Sequence, residues 1–425
     1  LNRESRFTWL QLIVGASYWA SWPVLVVLLY KTSYLTVTEG FYLLLCAGSG
    51  AVCSRLLGTL ASVYWSTVLM RYHSLAMLLV ALIGVTTMLS PQIDIAWFYF
   101  AAFASGYGCV IYSRGFDLSL VGSTVDLSGQ SMPAGWVIGL IVLTTFIAQL
   151  LAPLVTMVPL PIDQSYWFLT VASGHVFSRL EAGDGITLAI VPTVVAALFL
   201  LFILKQWVTG PSVYSFKLQN RLSLKPLLSK NRHIWYGSVL YNMTLGSFIG
   251  FSFIFPLVLE VMYGHSTLML VWIAPFLAIL SRPLGHWLGT LFGGTVVTQI
   301  CLLLMALFAA MAGQQISLSE TSQDMRYFDV FFISMVGLIV TSAMGNGSVV
   351  VTLNKIFPAA HINRALSWAG SIAMIGAVYL PLRFGLAFAN GNVDSIFIEV
   401  TGFFSLGFLA NYWLYFRRHG DFYNP

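Results

Sequence analysis

Charge is what this sequence has least of. Only 8% of its 425 residues are Asp, Glu, Lys or Arg, and 58% are hydrophobic, whereas soluble domains carry about 25% charge. A soluble core could not hide so much apolar surface. Cysteine is scarce too. Cys46, Cys53, Cys109 and Cys301 all lie in apolar runs without metal-type spacing, and each reads as a small buried side chain. The chain has no HExxH, no His-rich helix, no paired acids at depth and no phosphate-binding loop. These absences argue against a membrane-embedded enzyme and against ATP as an energy source. No cofactor or metal is expected. A sensor without flux would need an output domain, and the polar stretches are too short for one.

Long apolar runs are what the chain does have. Most reach the ~20 residues that cross a bilayer as a helix, so the fold class is an all-α polytopic membrane protein. Twelve spans are predicted, at roughly 8–30, 41–69, 74–90, 95–113, 134–157, 186–205, 234–258, 267–290, 295–314, 328–352, 366–388 and 395–416. The first follows Arg3 and Arg6, is too long for a signal-peptide core, and reads as a retained helix. Leu1 stands where an initiator Met would, consistent with a few residues preceding it.

The longest polar connection, 206–233, carries Lys217, Arg221, Lys225, Lys230 and Arg232. It separates a six-helix bundle at 1–205 from a second at 234–425. With the N-terminus inside, fourteen of the twenty Lys and Arg fall on the cytoplasmic side and four outside, as the positive-inside rule requires. Both termini are therefore expected in the cytoplasm and the net charge of +5 reflects topology, not nucleic-acid binding. Two six-helix halves around a basic loop is the plan of major facilitator transporters, whose substrate site lies between the halves at mid-membrane. A monomer is expected, in contact with membrane lipid.

The two cations left over are Arg55 and Arg282. They sit in matching strings, "SRLLG" and "SRPLG", on spans 2 and 8, which are equivalent positions of the two halves. Both are mid-span, where a charge costs at least ~2.5 kcal/mol. No Asp or Glu lies at the centre of a span to neutralise them. A guanidinium offers forked donors that match a small planar oxyanion, so two forks from opposite halves could hold one. Gly48, Gly50, Gly58, Gly285 and Gly289 allow close helix approach. Tyr241, Trp368 and Tyr379 are aromatics that could close the cage. Arg383, near an outer span end, reads as a snorkelling residue, and Arg114 with Asp117 as a local ion pair.

Several stretches resemble the nitrate/nitrite porter family of the major facilitator superfamily. They are "LYNMTLGSFIGFSFIFPL" from Leu240, "APFLAILSRPLG", "FGGTVVT", "MGNGSVVVTLNKIF", "ALSWAGSIAMIGAVYLP" and "QLLAPLV". The resemblance implies nitrate or nitrite as substrate, with Arg55, Arg282 and Tyr241 binding it. It also places Gly370 and Gly376 in a glycine-rich segment of span 11 near the pathway. Asn346, Trp368 and His286 are further pathway or packing residues. The chain departs from the family pattern on span 5, where Val142 replaces an asparagine. Leu245 stands in place of a phenylalanine near the anion, and the loop after span 8 reads Gly289-Thr290-Leu291 without the usual Asp-Arg. Nitrate/nitrite exchange at the inner membrane is the expected activity. Proton-coupled uptake, with His286 as the one possible proton carrier, and transport of another small anion such as formate stay open.

Overall fold

The computed structural model describes residues 19–31, 35–61, 95–107, 228–229, 231–264, 270–319 and 325–424. Predicted spans 3, 5 and 6, most of the 206–233 linker, and Cys109, Arg114, Asp117 and Val142 lie outside them. Every regular element among the described residues is helical. The first half contributes α1 (Trp22–Lys31), α2 (Val37–Ala61) and α3 (95–107). The second begins with α4 (Arg232–Tyr241), a π-helical turn (Asn242–Gly246) and α5 (Ser247–Tyr263), which together form one long rod. Then come α6 (Ile273–Phe292), α7 (Gly294–Leu318), α8 (Phe328–Ile356), α9 (Ala359–Ala373), α10 (Gly376–Asn390) and α11 (Asp394–Asn411).

Local chemistry sets several boundaries. Thr36 and Glu39 form a reciprocal capping box at the start of α2: Thr36 N–H donates to the Glu39 carboxylate at 2.8 Å and Glu39 N–H to Thr36 Oγ1 at 3.3 Å. Asn231 caps α4 by accepting from His233 N–H at 3.0 Å. α6 stops at Gly293, whose φ of +96° a side chain would strain.

Six described stretches are long and apolar enough to cross a membrane: Val37–Leu57, Arg232–Tyr263, Gly294–Leu318, Met325–Ile356, Arg364–Asn390 and Asp394–Phe416. They coincide with predicted spans 2, 7, 9, 10, 11 and 12. The 20-residue α6, predicted span 8, is not among the six. It is ~30 Å long, enough to cross, but Arg282 and His286 lower its apolarity. Span 11 is not one helix: it breaks at Met374–Ile375, where Ile375, Ala377 and Val378 donate three residues back.

Among the described residues, α2 packs along span 11. Phe41 stacks on Phe388 at 5.3 Å between ring centroids. Lower down, Gly48 lies so close to the Ala377 carbonyl that a Cβ would overlap it. Gly50 makes the same kind of approach to Phe103 on α3. At the other end of the second half, the tail after α11 folds back. Asp421 pairs with Arg232 at 2.7 Å, Tyr415 hydrogen-bonds the His233 ring at 3.0 Å, and Asn424 Nδ2 donates to the Phe292 carbonyl at 2.9 Å.

One cysteine expectation is corrected. Cys301 is buried and Cys46 half-buried, but Cys53 is exposed. It lies two residues, about 200° of helix turn, from Arg55, and so on the face of α2 turned away from span 11.

Candidate functional site

Arg55 is buried at 6% exposure, near the end of the α2–span 11 contact. Span 11 lies against it. Ser371 Oγ donates to the Arg55 carbonyl at 3.3 Å. A Cβ on Gly370 would stand 2.9 Å from Arg55 Nη2, so the guanidinium lies against a residue that has no side chain to displace it. The adjacent Ser54 is fully buried, and its hydroxyl has no hydrogen-bond partner among the described residues.

Arg282 is buried deeper, at 2% exposure, on α6. Its helix crosses α8 at close range. Ser281 Oγ lies 3.1 Å from the Val340 carbonyl, Gly285 abuts the Met344 carbonyl, and Gly347 abuts the Arg282 carbonyl. Gly289 approaches α8 less closely: a Cβ there would stand 3.3 Å from Val351. His286, one turn beyond Arg282, is half-buried with its ring against the Gly347 backbone.

Tyr241 is buried at the end of α4, immediately before the π turn. That turn carries Leu245, also buried, and ends on Gly246. Gly246 and Gly250 meet span 11 at Gly376: the Gly376 Cα lies against the Gly246 carbonyl, and the Gly250 Cα against the Gly376 carbonyl. Gly376 therefore serves a helix crossing at the span-11 break, whereas Gly370 serves the arginine. Asn346 is fully buried on α8. Trp368 is 8% exposed, edge-on to Trp235 with centroids 5.7 Å apart, and its indole N–H has no partner among the described residues.

Two residues go elsewhere. Arg383, read from its place near a span end as a snorkelling residue, forms an ion pair with Glu399. Tyr379 is not part of a cage around the arginines. It is 43% exposed, and its hydroxyl donates to the same Glu399 at 3.0 Å. Sequence reasoning missed that pairing because Glu399 lies on a different helix, sixteen residues after Arg383. It also missed the π turn, since "YNMTLGS" reads as continuous helix, and the break at Met374–Ile375.

No protein-family model matches the chain. It is 27% identical over 197 residues to the "Probable nitrate/nitrite antiporter NarK2" of Thermus thermophilus, a match covering 45% of this chain and 43% of that one. It is 27% identical over 342 residues to "Nitrate/nitrite transporter NarU" of Salmonella typhimurium (strain LT2), covering 75% of this chain and 68% of that one. The match to the first thus spans less than half of that relative's length. Among solved structures, the major facilitator superfamily proton:xylose symporter XylE superposes with a TM-score of 0.61 at 15% identity, over 95% of this chain and 94% of that one. That likeness establishes the fold. The chain is thus similar to nitrate/nitrite transporters, in one case over three quarters of its length, and it has the fold of major facilitator transporters.

Proposed function

We propose that the chain exchanges nitrate for nitrite across the cytoplasmic membrane by alternating access, holding the anion between Arg55 and Arg282 with Tyr241 beside it. The two six-helix bundles, 1–205 and 234–425, are the bodies that rock, and both termini face the cytoplasm. One observation carries the reading: Arg55 and Arg282, the arginines of the two Ser-Arg-x-Leu-Gly strings, are both buried, and the first of them is roofed by span 11 at Gly370 and Ser371.

The electrostatics favour exchange. Two guanidinium groups ~6 Å apart repel by ~3 kcal/mol at an effective dielectric of about 20, and an anion ~4 Å from each returns ~4 kcal/mol per contact before desolvation. A loaded site can occlude and an empty one resists it. Nitrate and nitrite are alike in charge and nearly alike in shape, so each can complete the cycle that the other begins.

The test is nitrite efflux from liposomes holding the purified protein, with and without external nitrate. Efflux that requires nitrate and is lost in Arg282→Lys is the expected result. Arg55→Lys should fail equally, since lysine keeps the charge and loses the fork. Wild-type rates in both lysine variants would remove the site. His286 beside Arg282 favours a second reading, proton-coupled uptake: efflux that ignores nitrate and follows a pH gradient would establish it. No response to either anion would redirect the search to formate.

A further inference from the structure

Asn346 is the exception on α8. The helix carries Ser334, Thr341, Ser342, Ser348 and Thr352, and each hydroxyl donates to a carbonyl of its own helix. Asn346 is 0% exposed, and neither its Nδ2 nor its Oδ1 has a hydrogen-bond partner among the described residues. An apolar side chain of similar size would be less costly there. A buried amide open at both ends points to a ligand.

Its position can be read from its neighbours. The α8 stripe of Val340, Met344 and Gly347 faces α6 at Arg282. One residue before Gly347, Asn346 is turned by about 100° away from that stripe. Leu353, seven residues on and therefore on the same stripe as Asn346, packs on Gly237 of α4. The Gly345 Cα lies beside Thr244, whose Cγ2 would be 3.0 Å from an added Cβ. The pairings Gly237–Leu353 and Thr244–Gly345 run antiparallel, so Asn346 is level with the π turn. It stands between Arg282 on one side and Tyr241 to Thr244 on the other.

We propose that Asn346 is a ligand of the permeating anion, a neutral donor beside Arg282 that helps set which small oxyanions are accepted. This rests on the two-arginine reading above. The arginines supply attraction from any direction, and an amide N–H adds direction without charge. Nitrate, nitrite and formate oxygens only accept hydrogen bonds, so Nδ2 takes an anion oxygen. A water that donates one O–H to Oδ1 and the other to the anion completes the set. The adjoining π turn fits this location, since such turns cluster at functional sites.

The test compares Asn346→Leu, Asn346→Ser and Arg282→Lys in the full-length protein in liposomes. Readouts are nitrate KM and maximal rate, inhibition by nitrite and formate, and thermal stability with and without nitrate. Asn346→Leu is expected to melt no lower than wild type. Its KM for nitrate should rise tenfold or more, its ranking of the three anions should change, and nitrate should stabilise it less. A purely structural asparagine would move melting and leave KM and ranking alone. Wild-type KM and ranking in Asn346→Leu, with Arg282→Lys inactive, would overturn this inference and leave the two-arginine site standing. Full activity in Arg282→Lys would overturn both. If Asn346→Leu does not fold, Asn346→Ser decides by the same readouts, because its shorter hydroxyl cannot reach the same oxygen.

Discussion

Arg282 and Arg383 are both arginines in apolar helices of the second half, and their surroundings assign them different work. Arg383 is partly exposed and shares Glu399 with Tyr379; Arg282 is sealed at 2% exposure beside a helix crossing. Exposed ion pairs contribute about 0–1 kcal/mol. Glu399→Gln is therefore expected to lower the melting temperature only slightly and to leave anion exchange near wild type, measured in the liposome assay. Gly370 is the opposite case. Its Cα lies against the Arg55 guanidinium, so Gly370→Val must displace either the cation or span 11. Exchange should fall at least a hundredfold, with Gly370→Ala intermediate. Wild-type rates in Gly370→Val would mean that the arginine and span 11 part during the cycle without consequence.

Among the elements, spans 2 and 11 depend on small residues where they cross. Gly48 on α2 lies against the Ala377 carbonyl of α10. Gly48→Val should loosen that crossing, seen as faster proteolysis or lower melting and as reduced transport; Cys53→Val, on the opposite face, should do neither. Much of this level was legible beforehand. The described spans fall where runs of ~20 apolar residues put them, and the paired Ser-Arg-x-Leu-Gly strings picked out Arg55 and Arg282 before any geometry. Other features were not legible. The span-11 break and the π turn come from how span 7 and span 11 fit together at Gly246, Gly250 and Gly376, a packing constraint that no hydropathy pattern encodes. The Tyr379–Glu399–Arg383 cluster and the roofing of Arg55 by Gly370 are contacts between distant segments, which periodicity alone cannot pair.

For the whole molecule, the line of contact from Phe41–Phe388 to Arg55–Ser371 joins the first half to the second. In the orientation proposed here, Phe41 and Phe388 mark its extracellular end, so the conformation is closed to the outside there. Cysteines at positions 41 and 388, in a background lacking the native cysteines and joined by a short thiol cross-linker, should abolish exchange. Anion-induced thermal stabilisation should survive, because the arginines are still present. Exchange at the uncross-linked rate would show that this seam stays shut throughout transport and that the halves open elsewhere. The seam also has a consequence for water. Arg55 is buried where Gly370 and Ser371 lie over it, so in the proposed cycle a state that separates α2 from span 11 wets the guanidinium, and its return strips that water away again. On that reading a cation is hydrated and dehydrated once per turnover, and the solvent on the side where the seam opens becomes a participant in the rate.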